Sequence, residues 1–321
     1  MNRPSNTRAS PDLSAVNALA VPDEAKVSAF YRVPFWRLGL AAARGLPAGL
    51  AWRAGWVLGA GYGMLARQRR QIVEENLLPV LAGDRALARR AARRMFGEFG
   101  IKLADLWQFE AGLDPGRRFV CAEGLERLQS ARASGRGILL VAFHLGNWEL
   151  SSPLLTNHGL GLTVLTFAEP NPALTEMRRR ARARWGVETV VVGAGSFAFV
   201  EVVKRLQDGA IVCLLMDRPN PAGAVPIQLF GRTFLAAAGP AELARASGCA
   251  VMATYTVRQR GGYVARLLPE IPYRREELGN RAARQVFTQQ VASQFEPLVK
   301  RYPQQWFHFV PVWPPPAQST P

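Results

Sequence analysis

The chain has 321 residues, 49% of them hydrophobic, and its 40 Lys and Arg against 24 Asp and Glu give a formal charge of +16. That length supports one large core rather than two independent domains of ordinary size, and so basic a protein seeks polyanions, either nucleic acid or an anionic membrane surface. Cys121, Cys213 and Cys249 are far apart and fit neither a disulfide framework nor a metal-ligand spacing, and a three-histidine zinc site would consume every histidine present (His144, His158, His308). The composition therefore argues for a reducing compartment and against a metal.

Residues 1–21 are polar, rich in Ser, Asn and Pro, and lack the apolar centre of a secretory signal. Residues 1–29 read as a disordered leader. Residues 30–65 mix aromatic and small apolar residues, but Arg44, Pro47 and Arg53 interrupt the run, so a simple membrane span is not expected. The composition predicts two helices lying in a membrane interface, with Trp36, Trp52 and Trp56 at headgroup level and the cations Arg67, Arg69 and Arg70 following. A further helix is predicted over 84–110, where apolar residues from Leu87 to Leu106 recur at helical spacing. The cations Arg85, Arg89, Arg90, Arg93 and Arg94 crowd its remaining surface. Together, residues 30–110 read as a helical membrane-docking region.

From about residue 137 short apolar runs alternate with helical stretches. Strands are expected at Ile138–Phe143, Leu162–Phe167, Thr189–Val192, Ala210–Met216 and Ala250–Val257, with helices at about 172–185, 197–207, 239–247 and 282–301. This alternation predicts an α/β domain over residues 111–312, built on a largely parallel central sheet flanked by helices. The Pro-rich segment 313–321 reads as a loose tail.

The sharpest local signal is Phe143-His144-Leu145-Gly146-Asn147-Trp148-Glu149, which begins where the buried run Ile138–Phe143 ends, the position at which open α/β sheets place their sites. A turn at Gly146 and a cap at Asn147 would put Glu149 in the first turn of the next helix, with its carboxylate able to reach back and orient the His144 imidazole. The backbone N–H groups at that helix start could face an oxyanion. The apolar residues Trp148, Leu150, Leu154 and Leu155 beside the turn are candidates for the wall of a hydrocarbon slot.

These residues, with several others in order, resemble the lipid A biosynthesis (lauroyl/myristoyl) acyltransferase branch of the lysophospholipid acyltransferase superfamily. The likeness runs over roughly residues 30–310. It includes the H-x4-E stretch, Arg70, Asn76-Leu77, Asn171-Pro172, Arg182 with Gly186, Asp217, Phe230-Gly231, the small-residue run Gly239–Ala244, and Tyr302–Trp306. The resemblance implies an O-acyltransferase at the cytoplasmic side of the inner membrane. It implies no cofactor, an acyl thioester donor (acyl carrier protein or acyl-CoA) and a glycolipid acceptor such as a lipid A precursor. It further implies His144 as general base assisted by Glu149, with Arg182, Asp217, Asn147 and Gly146 binding substrate; Arg178, Arg180 and Arg184 compete with Arg182. The chain departs from the family after Trp306, where Phe307-His308-Phe309-Val310 lacks an expected arginine, so a phospholipid or another lipid acceptor remains open.

Two rivals have their own support. Gly193-Ala194-Gly195-Ser196-Phe197-Ala198, with Asp217 beyond, matches a dinucleotide fingerprint and would mean NAD binding. The charge alone suits a non-catalytic basic membrane-binding protein, whereas no helix-turn-helix or RNA-stacking motif stands out to suggest nucleic acid. No G-x-S-x-G elbow, phosphate-binding P-loop or H-E-x-x-H occurs.

Overall fold

The computed structural model describes residues 32–192, 197–220 and 223–314. The 1–29 leader, residues 193–196 of the dinucleotide-like stretch and residues 315–321 of the tail lie outside them.

Four helices come first: α1 (Val33–Gly45), α2 (Ala48–Leu65), α3 (Arg67–Val80) and α4 (Arg85–Glu110). Pro47 separates the first two, and the Asp84 side chain caps α4 by accepting from the N–H groups of Ala86 and Leu87. Helices α2 and α4 approach closely through glycines. A Cβ on Gly100 would lie 1.9 Å from the Gly55 carbonyl oxygen, so no larger residue fits there. Among the described residues no helix is long and apolar enough to cross a membrane.

Two of the three tryptophans expected at headgroup level point inward. Trp36 is buried with its indole N–H 2.5 Å from Glu110, and the Trp52 indole donates to Asp105 at 2.7 Å. The indole N–H needs an acceptor once desolvated, and α4 supplies both carboxylates. Trp56 remains exposed, alongside Leu50, Val57, Leu58, Met64 and Leu65.

The remainder follows as β1 (Phe119–Glu123), α5 (Leu125–Ala133), β2 (Ile138–Ala142), α6 (Ser152–Thr156), β3 (Leu162–Phe167), α7 (Pro172–Ala183), β4 (Val187–Val192), α8 (Ala198–Gln207) and β5 (Ile211–Leu215). Then come β6 (Ala224–Leu229), β7 (Arg232–Ala237), α9 (Gly239–Ser247), β8 (Ala250–Gln259), β9 (Gly262–Glu270), α10 (Arg281–Ser293) and α11 (Glu296–Arg301). The central sheet has the order β1-β9-β8-β2-β5-β3-β4. All its pairings are parallel except β8 with β9, so the expected largely parallel α/β sheet is present. Alternate residues of β2 face opposite layers: Leu139 and Val141 pack with α3, α4, α9 and α10, Ile138 and Leu140 with α5.

Three differences have local causes. Strands β1 and β9 and the β6–β7 hairpin are not marked by continuous apolar runs, since part of each is exposed. The helix expected over 282–301 is two helices, because Pro297 stands in the first turn of α11 and cannot continue the ladder of α10. The start of the supposed tail is not loose: the Trp313 indole donates to the Asn76 carbonyl at 3.1 Å and its ring packs against Phe234.

Candidate active site

Strands β2 and β5 lie side by side with Ala142 opposite Leu215. His144 and Asp217 each follow two residues after these partners, so the register itself delivers them to one point at the carboxyl end of the sheet. β5 inserts between β2 and β3 in the sheet order, which makes this edge a crossover point of the kind where α/β sheets bind ligands. There His144 Nδ1 lies 2.7 Å from Asp217 Oδ1, and the His144 backbone N–H donates to both carboxylate oxygens at 2.9–3.0 Å.

Asp217 is buried and fully satisfied. Its Oδ2 also accepts from the Trp306 indole at 3.1 Å and faces His308 Nε2 at 2.8 Å. Burial opposes its charge, but the two imidazoles outweigh that cost and hold the carboxyl well below the usual range. An ionised Asp217 fixes the His144 tautomer with the proton on Nδ1, leaving Nε2 as a lone-pair acceptor. Nε2 has no hydrogen-bond partner among the described residues, and 15% of the His144 side chain is exposed. Burial, reinforced by Arg218, pushes the His144 imidazole far below its ordinary value against the pull of Asp217, so it stands neutral and able to take a proton. His144, Asp217 and His308 present atoms within 4.8 Å of one another, a set able to approach a cation. The 2.7 and 2.8 Å contacts are nevertheless those of hydrogen bonds, since two ligands of one tetrahedral zinc lie about 3.3 Å apart.

The motif loop is clamped from behind. The Phe307 N–H donates to the His144 carbonyl at 2.9 Å, and the Gly146 and Asn147 N–H groups donate to the carbonyls of Gln305 and Thr256 at 2.8 Å each. Gly146 has φ +66°, and a Cβ there would sit 1.9 Å from the Thr256 oxygen, so only glycine lets the loop come this close.

Several expected roles change as a result. Glu149 does not reach back to the imidazole, because Arg182 grips it: Nε donates to Oε2 at 2.9 Å and Nη2 to Oε1 at 2.5 Å. Burial alone would raise the Glu149 carboxyl, but the arginine fork holds it down at about 2. The residue falls in a four-residue 3-10 turn, Trp148–Ser151. Arg182, read as a substrate or oxyanion ligand, is the other half of this ion pair. Asn147 does not cap the turn; its Nδ2 donates to the Lys102 carbonyl at 3.3 Å. The Gly146 and Asn147 amides, candidates for an oxyanion site, already have carbonyl partners. Neither residue is among those that line the cavity described below. Asp217, expected to bind substrate, is engaged with the histidine. Sequence reasoning missed His308 and Trp306 as partners of Asp217; both belong to the segment after Tyr302 that looked like a terminal motif.

His144 opens onto a cavity of about 1600 Å³. Its walls are mostly apolar and include Leu58, Phe99, Trp148, Leu154, Leu155 and Phe167, with Arg69, Lys102, Arg178, Arg182, Arg218 and Arg266 as its basic lining residues and Glu149 beside Arg182. Of the four residues expected to line a hydrocarbon slot, Leu150 is instead buried between α1, α4 and α7.

The model of the family described as bacterial lipid A biosynthesis acyltransferase matches residues 30–314. Among curated proteins, the phosphatidylinositol mannoside acyltransferase of Mycolicibacterium smegmatis is 29% identical over 191 residues, 59% of this chain and 60% of that one. The protein of the same name from Mycobacterium tuberculosis is 29% identical over 192 residues, 59% of this chain and 58% of its own length. The match thus spans about three fifths of these relatives.

Proposed function

The chain belongs to the bacterial lipid A biosynthesis acyltransferase family, and from that premise we propose that it moves a fatty acyl group from a thioester to a hydroxyl of a glycolipid. One observation carries the reading: a neutral histidine, tautomerically fixed by a buried aspartate, presents Nε2 to a large apolar cavity. A volume of about 1600 Å³ exceeds the roughly 300–1,000 Å³ of an ordinary ligand site and suits a long hydrocarbon together with a bulky acceptor.

In this reading the acceptor O–H gives its proton to His144 Nε2 as the oxygen bonds to the thioester carbonyl carbon. The carbonyl π pair moves onto its oxygen. When the tetrahedral species collapses, the C–S bond breaks and the thiolate takes the proton back from the imidazolium. Asp217 stabilises that imidazolium without itself becoming protonated. Glu149 and Arg182 act one step removed, holding the 3-10 turn that carries Trp148 against α7.

The mycobacterial relatives' names support a glycolipid acceptor, and the family description leaves a lipid A precursor as a second candidate. The donor is an acyl carrier protein or acyl-CoA. The exposed apolar side chains of α2, near the basic stretch of α3 and α4, support docking at the cytoplasmic face of the inner membrane. Mass spectrometry of membrane lipids from cells with and without the gene tests the acceptor class: a glycolipid that loses one acyl chain on deletion is expected. An unchanged glycolipid profile contradicts the proposal.

A further inference from the structure

Transfer through a tetrahedral species needs a donor for the oxyanion, and the groups that the motif suggests for this are already engaged. The Gly146 and Asn147 amides donate to backbone carbonyls. Arg182 is paired with Glu149. The described residues offer another cation at the same wall. Lys102 projects from α4 into the site, 7% exposed, and its backbone carbonyl is tied to the motif through Asn147.

Its ammonium nitrogen lies 3.4 Å from the centre of the Trp148 ring, 5.2 Å from Phe307 and 5.8 Å from Phe99. Trp148 in turn stands edge-on to the His144 ring at 4.9 Å, so both groups contact the same indole. No carboxylate of the described residues lies within ion-pairing distance of Lys102. Burial first, then Arg218, push its ammonium well below the ordinary value, with Glu149 opposing. An amine held by ring faces in an apolar pocket, its charged form without a dedicated counter-ion, gains most when negative charge arrives beside it.

We propose that Lys102 is a catalytic residue whose Nζ donates to the oxyanion formed when the acceptor attacks the thioester carbonyl. The inference rests on the acyl-transfer reading above. As the acceptor oxygen bonds to the carbonyl carbon and His144 takes its proton, the π pair placed on the carbonyl oxygen is met by the Lys102 N–H. The hydrogen bond relaxes when the C–S bond breaks and the carbonyl re-forms. Such a group acts on the transition state more than on bound substrate, and its loss lowers kcat with little change in KM.

The test uses the full chain with palmitoyl-CoA as donor and a phosphatidylinositol mannoside as acceptor, together with the slow hydrolysis of palmitoyl-CoA in the absence of acceptor. Lys102→Met fills the aromatic cage without charge. It should lower kcat by about 100-fold or more, leave both KM values within about threefold, and lower hydrolysis by the same factor. If the Met variant does not fold, Lys102→Gln, which keeps an N–H donor, should show a smaller kcat loss with the same KM pattern. A raised acceptor KM with unchanged hydrolysis would mean that Lys102 binds an acceptor anion. A lower Tm with full activity per folded molecule would make it purely structural. Either result overturns the proposal. His144→Ala run in parallel separates the two levels: if it retains activity the acyl-transfer reading itself fails, and if it alone is inactive only the role of Lys102 falls.

Discussion

His144 and Asp217, 73 residues apart, face each other because each lies two residues beyond a register-paired position, Ala142 on β2 and Leu215 on β5. The hydrogen bond between them is thus a product of strand order. Asp217→Asn keeps the shape but donates where the histidine needs an acceptor, which favours the wrong tautomer. Its kcat should fall by about 100-fold or more. Steady-state rates with the melting temperature as a folding control check this; near-normal turnover would remove Asp217 from the mechanism.

Glu149 should behave differently. Glu149→Gln leaves the Arg182 guanidinium buried without its counter-charge, which costs about 3–5 kcal/mol. The double variant Glu149→Gln, Arg182→Met removes both charges and should recover most of that stability. Thermal melts of the two singles and the double give the coupling. Additive losses would show that the pair is not the functional unit.

Acid should destabilise the fold before the carboxylates titrate. His144 and His308 are both held below their ordinary value by burial, against the pull of Asp217. The unfolded chain therefore takes up protons near pH 6.5 that the folded chain refuses. With more protons bound in the unfolded state, stability falls as pH falls. Between pH 7 and pH 5 the slope should approach about 1.4 kcal/mol per pH unit from His144, with a smaller addition from His308. Denaturant unfolding at stepped pH measures it, and His308→Gln should remove only the smaller part. A flat profile would mean that the pair is charged in the folded state.

Much of this was legible from the chain. The run Ile138–Phe143, the later strands and the H-x4-E stretch announce a parallel sheet with its site at a strand end. What stayed hidden depends on contacts far apart in sequence. A local reading finds Glu149 five residues from His144 and assigns it to the imidazole. Asp217 reaches the histidine only because β5 inserts between β2 and β3. Lys102 was invisible for the opposite reason: it follows a basic helix surface, yet it sits between Phe99 and Leu103 on the face that α4 turns inward. Trp36 and Trp52 read as interfacial because their acceptors, Glu110 and Asp105, lie more than 50 residues away.

The cavity walls make the donor preference testable. Leu154 and Leu155 line the space beside Trp148, and each buried methylene of an acyl chain contributes about 0.8 kcal/mol. A narrow optimum of chain length is expected, and Leu154→Ala should shift it to longer donors. Rates across a donor series at fixed concentration decide the matter; a flat profile in both proteins would exclude a closed hydrocarbon ruler.

Membrane docking should combine two forces. Exchanging Leu58, Met64 and Leu65 for Ser removes exposed apolar area from α2 and should weaken binding to all vesicles. High salt should weaken binding of the unaltered protein to anionic vesicles only, as each cation near that surface contributes about 1 kcal/mol. Equal affinity for neutral and anionic vesicles would remove the electrostatic part.

The most direct test of the account is the turnover of purified His144→Ala, measured as acyl transfer from palmitoyl-CoA to a glycolipid acceptor. Loss of the base predicts a kcat at least about 100-fold lower, with a melting temperature close to that of the unaltered protein. A variant that folds normally and turns over at a near-normal rate would contradict the assignment of His144, and with it the mechanism built on this cavity.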